Sequence, residues 1–216
     1  MPTRRAVLSL PAIAALAGLG RPAKAAPGAG PSAGPGAGPG AGADPAAAFI
    51  RATGAALVQV INGSDPAAAK TAALQQIIDN RVDVDGIARF CLGRFWHVAT
   101  PAERTEYQKL FHRVLVLNVT AKVGAYKGVA FAIGRAVPRA EGTMVATTVS
   151  RPGQAPAEVD WLVKPEAGAE KIIDVVAEGT SLRVTQRSDY ASFISRHGGS
   201  VAALITALHH QVNGAG

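Results

Sequence analysis

The feature that most constrains this 216-residue chain is a change of hydrophobic period near its middle. Before Gly124 the apolar residues recur at helical spacing. After it they alternate, in Val129-Phe131-Ile133, Val145-Thr147-Val149, Val159-Trp161-Val163 and Ile173-Val175. Alternation divides side chains between the two faces of a strand, so four half-buried strands are predicted in series. The joining stretches 138–142, 151–156 and 164–169 are short and carry Gly and Pro. They suit hairpins and are too short for the crossover that a parallel pair needs.

Helical patterns lie on both sides of these strands. Asp44-Pro45 opens a helix in the cap-and-first-position manner, with Phe49, Ala52, Ala56, Leu57, Val60 and Ile61 on one face until Asn62-Gly63. Asp65-Pro66 repeats that start for a second helix with Leu74, Ile77 and Ile78 inward. Asp85 is the expected cap of a third helix, carrying Ile87, Ala88, Cys91 and Leu92 and running to Trp96-His97. Thr100-Pro101-Ala102-Glu103 forms a capping box ahead of a long stripe, Tyr107, Leu110, Phe111, Val114, Leu115 and Asn118. After the strands, Ser188 is the expected cap of a helix with Tyr190, Phe193 and Ile194 that stops at Gly198-Gly199, and Ser200 opens a last one. The order of helices, strands and helices predicts an α+β domain, with helices packed on one face of a four-stranded antiparallel sheet.

The first residues read as a targeting segment. Arg4-Arg5 precede an apolar run from Ala6 to Leu19, and Ala23-Lys24-Ala25 fits a signal-peptidase site, so residues 1–25 are expected to be removed near Ala25/Ala26. Thr3-Arg4-Arg5 also fits the twin-arginine export route. The run is shorter than the roughly 20 residues that cross a bilayer. Residues 26–43 repeat Pro, Gly and Ala with no side chain able to build a core, and read as a disordered spacer. Residues 44–216 then form one domain.

Of the 22 basic residues, Arg4, Arg5, Arg21 and Lys24 fall in the targeting segment, leaving 18 against 15 acidic ones. That balance gives no argument for nucleic acid as a partner. Cys91 is the only cysteine, which excludes an internal disulfide and reads as a buried thiol. Motifs for a nucleophile elbow, a zinc-binding His pair or a phosphate-cradling glycine loop are missing. His209 and His210 are adjacent, so a helix turns them apart. Asp160 and Asp174 alternate with apolar neighbours and read as the outward face of strands.

The stretch from Val82 through Gly86, Arg89, Gly93, Arg94 and Trp96 to His97, followed by Ala99-Thr100-Pro101-Ala102-Glu103-Arg104 and Phe111, resembles the MlaC, or toluene-tolerance, family. A second block resembles that family too: Lys171 to Leu182, then Gln186-Arg187-Ser188, Tyr190, Phe193-Ile194, Gly198-Gly199 and Leu204-Ile205. The similarity spans roughly residues 47 to 209. This chain departs from the family in its spacer, in Cys91, and in Ala202 where an acidic residue is frequent. The resemblance implies a non-enzymatic periplasmic carrier of phospholipid, with the lipid as cargo and no cofactor. It implies as partners an inner-membrane ABC transporter complex with an MCE-domain subunit and an outer-membrane lipoprotein and porin complex, together maintaining outer-membrane lipid asymmetry. Relatives in hopanoid gene clusters share these blocks, so a hopanoid is the alternative cargo. A small envelope hydrolase and a protein-binding unit are the rival classes.

Moving acyl chains into water costs about 0.8 kcal/mol per methylene, so a carrier has to enclose them. On that reading the helices and sheet enclose an apolar cavity, polar only at its mouth. From the strands the candidate lipid-binding residues are Phe131, Val145, Val149, Val159, Trp161, Val163 and Val175. From the preceding helices they are Phe90, Phe111 and Leu115, and from those following, Leu182, Tyr190, Phe193 and Ile194. Among the basic residues Lys122, Lys127, Arg183 and Arg187, Arg187 is singled out for the phosphate. Pattern alone assigns such faces to ordinary packed core; the resemblance is what implies a cavity.

Overall fold

The computed structural model describes residues 44–121 and 123–214. The targeting segment, the spacer and Lys122 lie outside the described residues.

Seven α-helices and five strands follow in the order α1 (Pro45–Asn62), α2 (Ala67–Arg81), α3 (Val84–Leu92), α4 (Phe95–Val98), α5 (Pro101–Thr120), β1 (Ala130–Arg139), β2 (Gly142–Ser150), β3 (Ala157–Glu166), β4 (Ala169–Ala177), β5 (Thr180–Ser181), α6 (Leu182–Arg196) and α7 (Val201–Asn213). Every strand pairs antiparallel with the next, in the spatial order β1-β2-β3-β4-β5. The fold is α+β as the period predicts, with one more strand than expected. β5 is two residues long, paired with Val176 and Ala177, and too short to show any period.

Helix starts follow local chemistry. The Asp44 carboxylate accepts from the Ala46 and Ala47 amides at 2.8 and 3.2 Å, and Thr100 and Glu103 close the capping box reciprocally at 3.2 and 2.8 Å. Three expected starts are corrected. Pro66, not Asp65, stands at the cap of α2, and no side chain caps it. Asp83 rather than Asp85 caps α3, accepting from Gly86 N at 2.8 Å; a Cβ on Gly86 would sit 2.0 Å from the Asp83 carboxylate. Ser181 rather than Ser188 caps α6, accepting from Val184 N at 3.2 Å. The first two turns of α6 turn polar side chains inward, which hides the helix from an apolar-period reading. α3 also stops earlier than expected, at Leu92, because Gly93 takes φ 57° and the chain restarts as the single turn α4.

Apolar packing is divided among three places. The largest cluster joins α3, α5, α6 and α7 around Tyr107, Phe111 and Tyr190, whose ring centroids lie 5.9 to 6.4 Å apart. The Tyr107 hydroxyl donates to the Ala88 carbonyl at 3.0 Å. A second cluster sets Ala46, Ala47 and Ile50 of α1 on Val145, Val163 and Ile172. A third gathers Val129, Val149 and Val159. The helical cluster and the two sheet clusters do not merge, and the space between them is the site. Among the described residues no helix is long and apolar enough to cross a membrane.

Candidate functional site

The space between helices and sheet is a cavity of about 330 Å³, within the size range of small-molecule sites. α1 supplies Leu57, Val58 and Ile61 to its wall, α2 supplies Leu74, Ile77 and Ile78, and α5 supplies Phe111, Val114, Leu115 and Val119. The sheet contributes Phe131, Val149, Val159, Trp161, Ile172 and Val175, and α6 contributes Leu182 and Tyr190.

Leu57, Val58, Ile61, Ile77, Leu115, Trp161 and Val175 face inward and yet are only half-buried. In a packed core such side chains lose nearly all accessible surface. Here water-sized access persists because they face a hollow. Gly54 brings α1 close to the sheet: a Cβ there would lie 2.4 Å from Phe131 Cδ1, so only the missing side chain admits the ring. Trp161 keeps its ring in the wall by donating Nε1 to Thr147 Oγ1 at 2.9 Å.

Besides Thr53, Arg81 and Asn118, the polar residues of the wall gather where β4 meets α6. The β3–β4 register shifts so that Leu162 faces Asp174 while Val163 faces Ile172, a bulge that resets the alternation of β4. Asp174, opposite Leu162, is not solvent-facing as strict alternation predicts but 6% exposed and lining the cavity, because Ser181 and the start of α6 close over its carboxylate. It accepts from Ser181 Oγ at 2.6 Å, Val175 N at 2.8 Å and Arg183 N at 3.2 Å. Arg183 Nε lies 3.4 Å from Asp174 Oδ2, its Nη2 pairs with Glu141, and its guanidinium stacks over Phe90 at 4.3 Å. Cys91 lines the cavity beside this group. Burial pushes its thiol up to about 12, with the charge of Asp174 adding to the rise and Arg183 and Arg187 opposing it. Burial likewise pushes the Tyr190 hydroxyl up, so it stays protonated.

Nine of the residues expected from sequence meet at the cavity: Phe111, Leu115, Phe131, Val149, Val159, Trp161, Val175, Leu182 and Tyr190. Six lie elsewhere. Val145 and Val163 share the sheet face but sit under the first turns of α1, which seal that end with packed side chains. Phe193 and Ile194 come one turn after Tyr190 and pack into the helical cluster, Phe193 with its ring 4.0 Å from that of His197. Phe90 lies beneath the guanidinium groups of Arg183 and Arg187. Arg187 is exposed, and Arg183 is the arginine of that pair that reaches the cavity.

Sequence reasoning left the α1 and α2 aliphatics out of the site, although their stripes were visible. It also left out Gln186, which looks like a solvated helix residue, and preferred Arg187 to Arg183. None of the five histidines lines the cavity; His112 pairs with Asp79 at 2.6 Å and His209 with Glu106 at 3.0 Å. Among the described residues no group of three His, Cys, Asp or Glu could hold a metal ion. The arrangement can enclose an apolar body; it presents no paired nucleophile and base.

The family model described as MlaC protein matches residues 51–210. The fold is similar to that of a phospholipid-binding protein from Ralstonia solanacearum, solved in complex with a phospholipid. The TM-score is 0.67 at 23% identity, and the match covers 78% of this chain and 97% of that one.

Proposed function

The chain belongs to the MlaC family, and from that premise we propose that it is a carrier rather than an enzyme, taking the acyl chains of a phospholipid into the cavity between helices and sheet. The observation that carries this reading is the set of inward aliphatic side chains that remain half-buried. Two chains of ordinary length exposed to water would cost roughly 20 kcal/mol or more, which blocks free diffusion between membranes. A wall of Leu, Val, Ile, Phe and Trp offers the tails an environment like the one they leave. The phospholipid held by the Ralstonia protein, which shares this fold, supports the same cargo class.

The carrier works in the periplasm, reached through the targeting segment 1–25. It exchanges lipid between an inner-membrane ABC transporter complex with an MCE-domain subunit and an outer-membrane lipoprotein and porin complex. The test is mass spectrometry of an organic extract from natively exported protein. Near-stoichiometric phospholipid is expected. A hopanoid in its place would reassign the cargo, and protein free of lipid would overturn the carrier reading.

A further inference from the structure

One stripe of the cavity wall is not apolar. Leu182, Arg183, Gln186 and Tyr190 recur on successive turns of α6, and all four line the cavity. Two polar atoms on this stripe, Gln186 Oε1 and Tyr190 Oη, are buried and have no hydrogen-bond partner on the protein. Gln186 is 5% exposed and Tyr190 0%. Buried polar groups in folded proteins are paired with few exceptions, so two on neighbouring turns that line a hollow mark where a ligand's polar atoms belong.

The charges say which kind of atom. The Arg183 guanidinium is already met by the carboxylates of Asp174 and Glu141. Gln186 is neutral, and Tyr190 is held protonated by burial. The stripe therefore has no unbalanced positive charge for a phosphate. It offers uncharged donors and acceptors in an apolar setting, where a neutral oxygen is the matching partner.

We propose that Gln186 and Tyr190 form an internal anchor that hydrogen-bonds an uncharged oxygen of the lipid cargo, an ester carbonyl or a hydroxyl, and so sets how far the lipid enters. The inference rests on the carrier reading above. A purely apolar cavity would hold tails of any linkage alike; this anchor makes the protein read the polar atoms next to them.

The experiment uses delipidated full-length protein and displacement of a fluorescent lipid by three competitors that share headgroup and chain length. These are a diester phosphatidylethanolamine, its dialkyl ether analogue, and the ether analogue bearing one hydroxyl on an alkyl chain. Wild type is expected to bind the ester or the hydroxylated lipid about three- to tenfold more tightly than the plain ether, the worth of one or two net hydrogen bonds. Which of the two it prefers identifies the oxygen. Gln186→Leu and Tyr190→Phe are expected to abolish most of that preference, read as the ratio of affinities for the ester or hydroxylated lipid and for the plain ether. Tyr190→Phe removes a single oxygen, so it decides alone if Gln186→Leu fails to fold. Equal binding of all three lipids by wild type, or a preference that survives Tyr190→Phe, would overturn the anchor and leave the carrier reading standing. Failure of wild type to bind any of them would remove both.

Discussion

The indole Nε1 of Trp161 donates to Thr147 Oγ1 at 2.9 Å, and the Thr147 hydroxyl in turn donates to the Val159 carbonyl at 2.6 Å. Thr147 is buried at 3% exposure on β2, and it satisfies the one polar atom of a ring that otherwise presents carbon to the cavity. Thr147→Val keeps the shape but leaves the indole N–H without a partner. It is expected to lower unfolding free energy by about 1–3 kcal/mol, read as a shifted denaturant midpoint. Thr147→Ser, which keeps the hydroxyl, should lose less.

Val149 and Val175 stand in the cavity wall, and added bulk there enters empty space. In a packed core the same enlargement costs roughly 1–3 kcal/mol. Val149→Trp and Val175→Trp are expected to fold with stability near that of delipidated wild type and to co-purify with much less phospholipid. The comparison uses delipidated protein because bound ligand raises apparent stability by mass action. Lipid content equal to wild type in both variants would show that these positions do not hold cargo.

Gly54→Ala should act through Phe131. The added methyl collides with the ring, whose free direction is into the cavity, while the helix gains about 1 kcal/mol of intrinsic propensity. Folded protein with reduced lipid loading is the expected result. A loss of several kcal/mol would mean that the ring cannot swing inward.

Cys91 links burial to alkaline stability. Its folded-state value is raised to about 12 from an ordinary 9.0, so the stability it contributes is complete below pH 9 and is lost as pH climbs toward 12. Tyr107 and Tyr190, pushed up by burial from 10.0, act with the same sign above pH 10. Thermal unfolding across pH 8 to 11 should show a progressive loss that Cys91→Ala diminishes. Near pH 8 only about one folded molecule in ten thousand carries the thiolate, so a thiol reagent should label the protein only after denaturation. Fast labelling of native protein would show that the sulfur reaches solvent.

The targeting segment makes a separate prediction. N-terminal sequencing of protein from the periplasmic fraction should begin near Ala26, and full-length chain confined to membranes would contradict it.

What could be read without coordinates was whatever depends on neighbours along the chain. The capping box at Thr100, the Asp44-Pro45 start and the stop at Gly198-Gly199 are contacts within a few residues, and they stand as predicted. Strand faces were legible where alternation is regular: Val149, Val159 and Trp161 lie on the side their period assigns. Asp174 failed that reading because the start of α6 folds over it, and Ser188 because α6 begins with two turns whose inner face is partly polar.

Tertiary structure decided what the inward side chains surround. Val145 and Val149 are four residues apart on one face of one strand; the first is sealed under α1 and the second opens onto the cavity. Periodicity records only that a side chain avoids water, and a packed neighbour and an enclosed hollow satisfy that demand alike. Around the hollow α1 packs on β1 and α2, α2 packs on α5, and Gly54 lets α1 approach Phe131 closely. Those distances are set between residues far apart in the chain. For the same reason the orphan polar atoms of Gln186 and Tyr190 came to light only in three dimensions, since along the sequence they are ordinary residues of a helix.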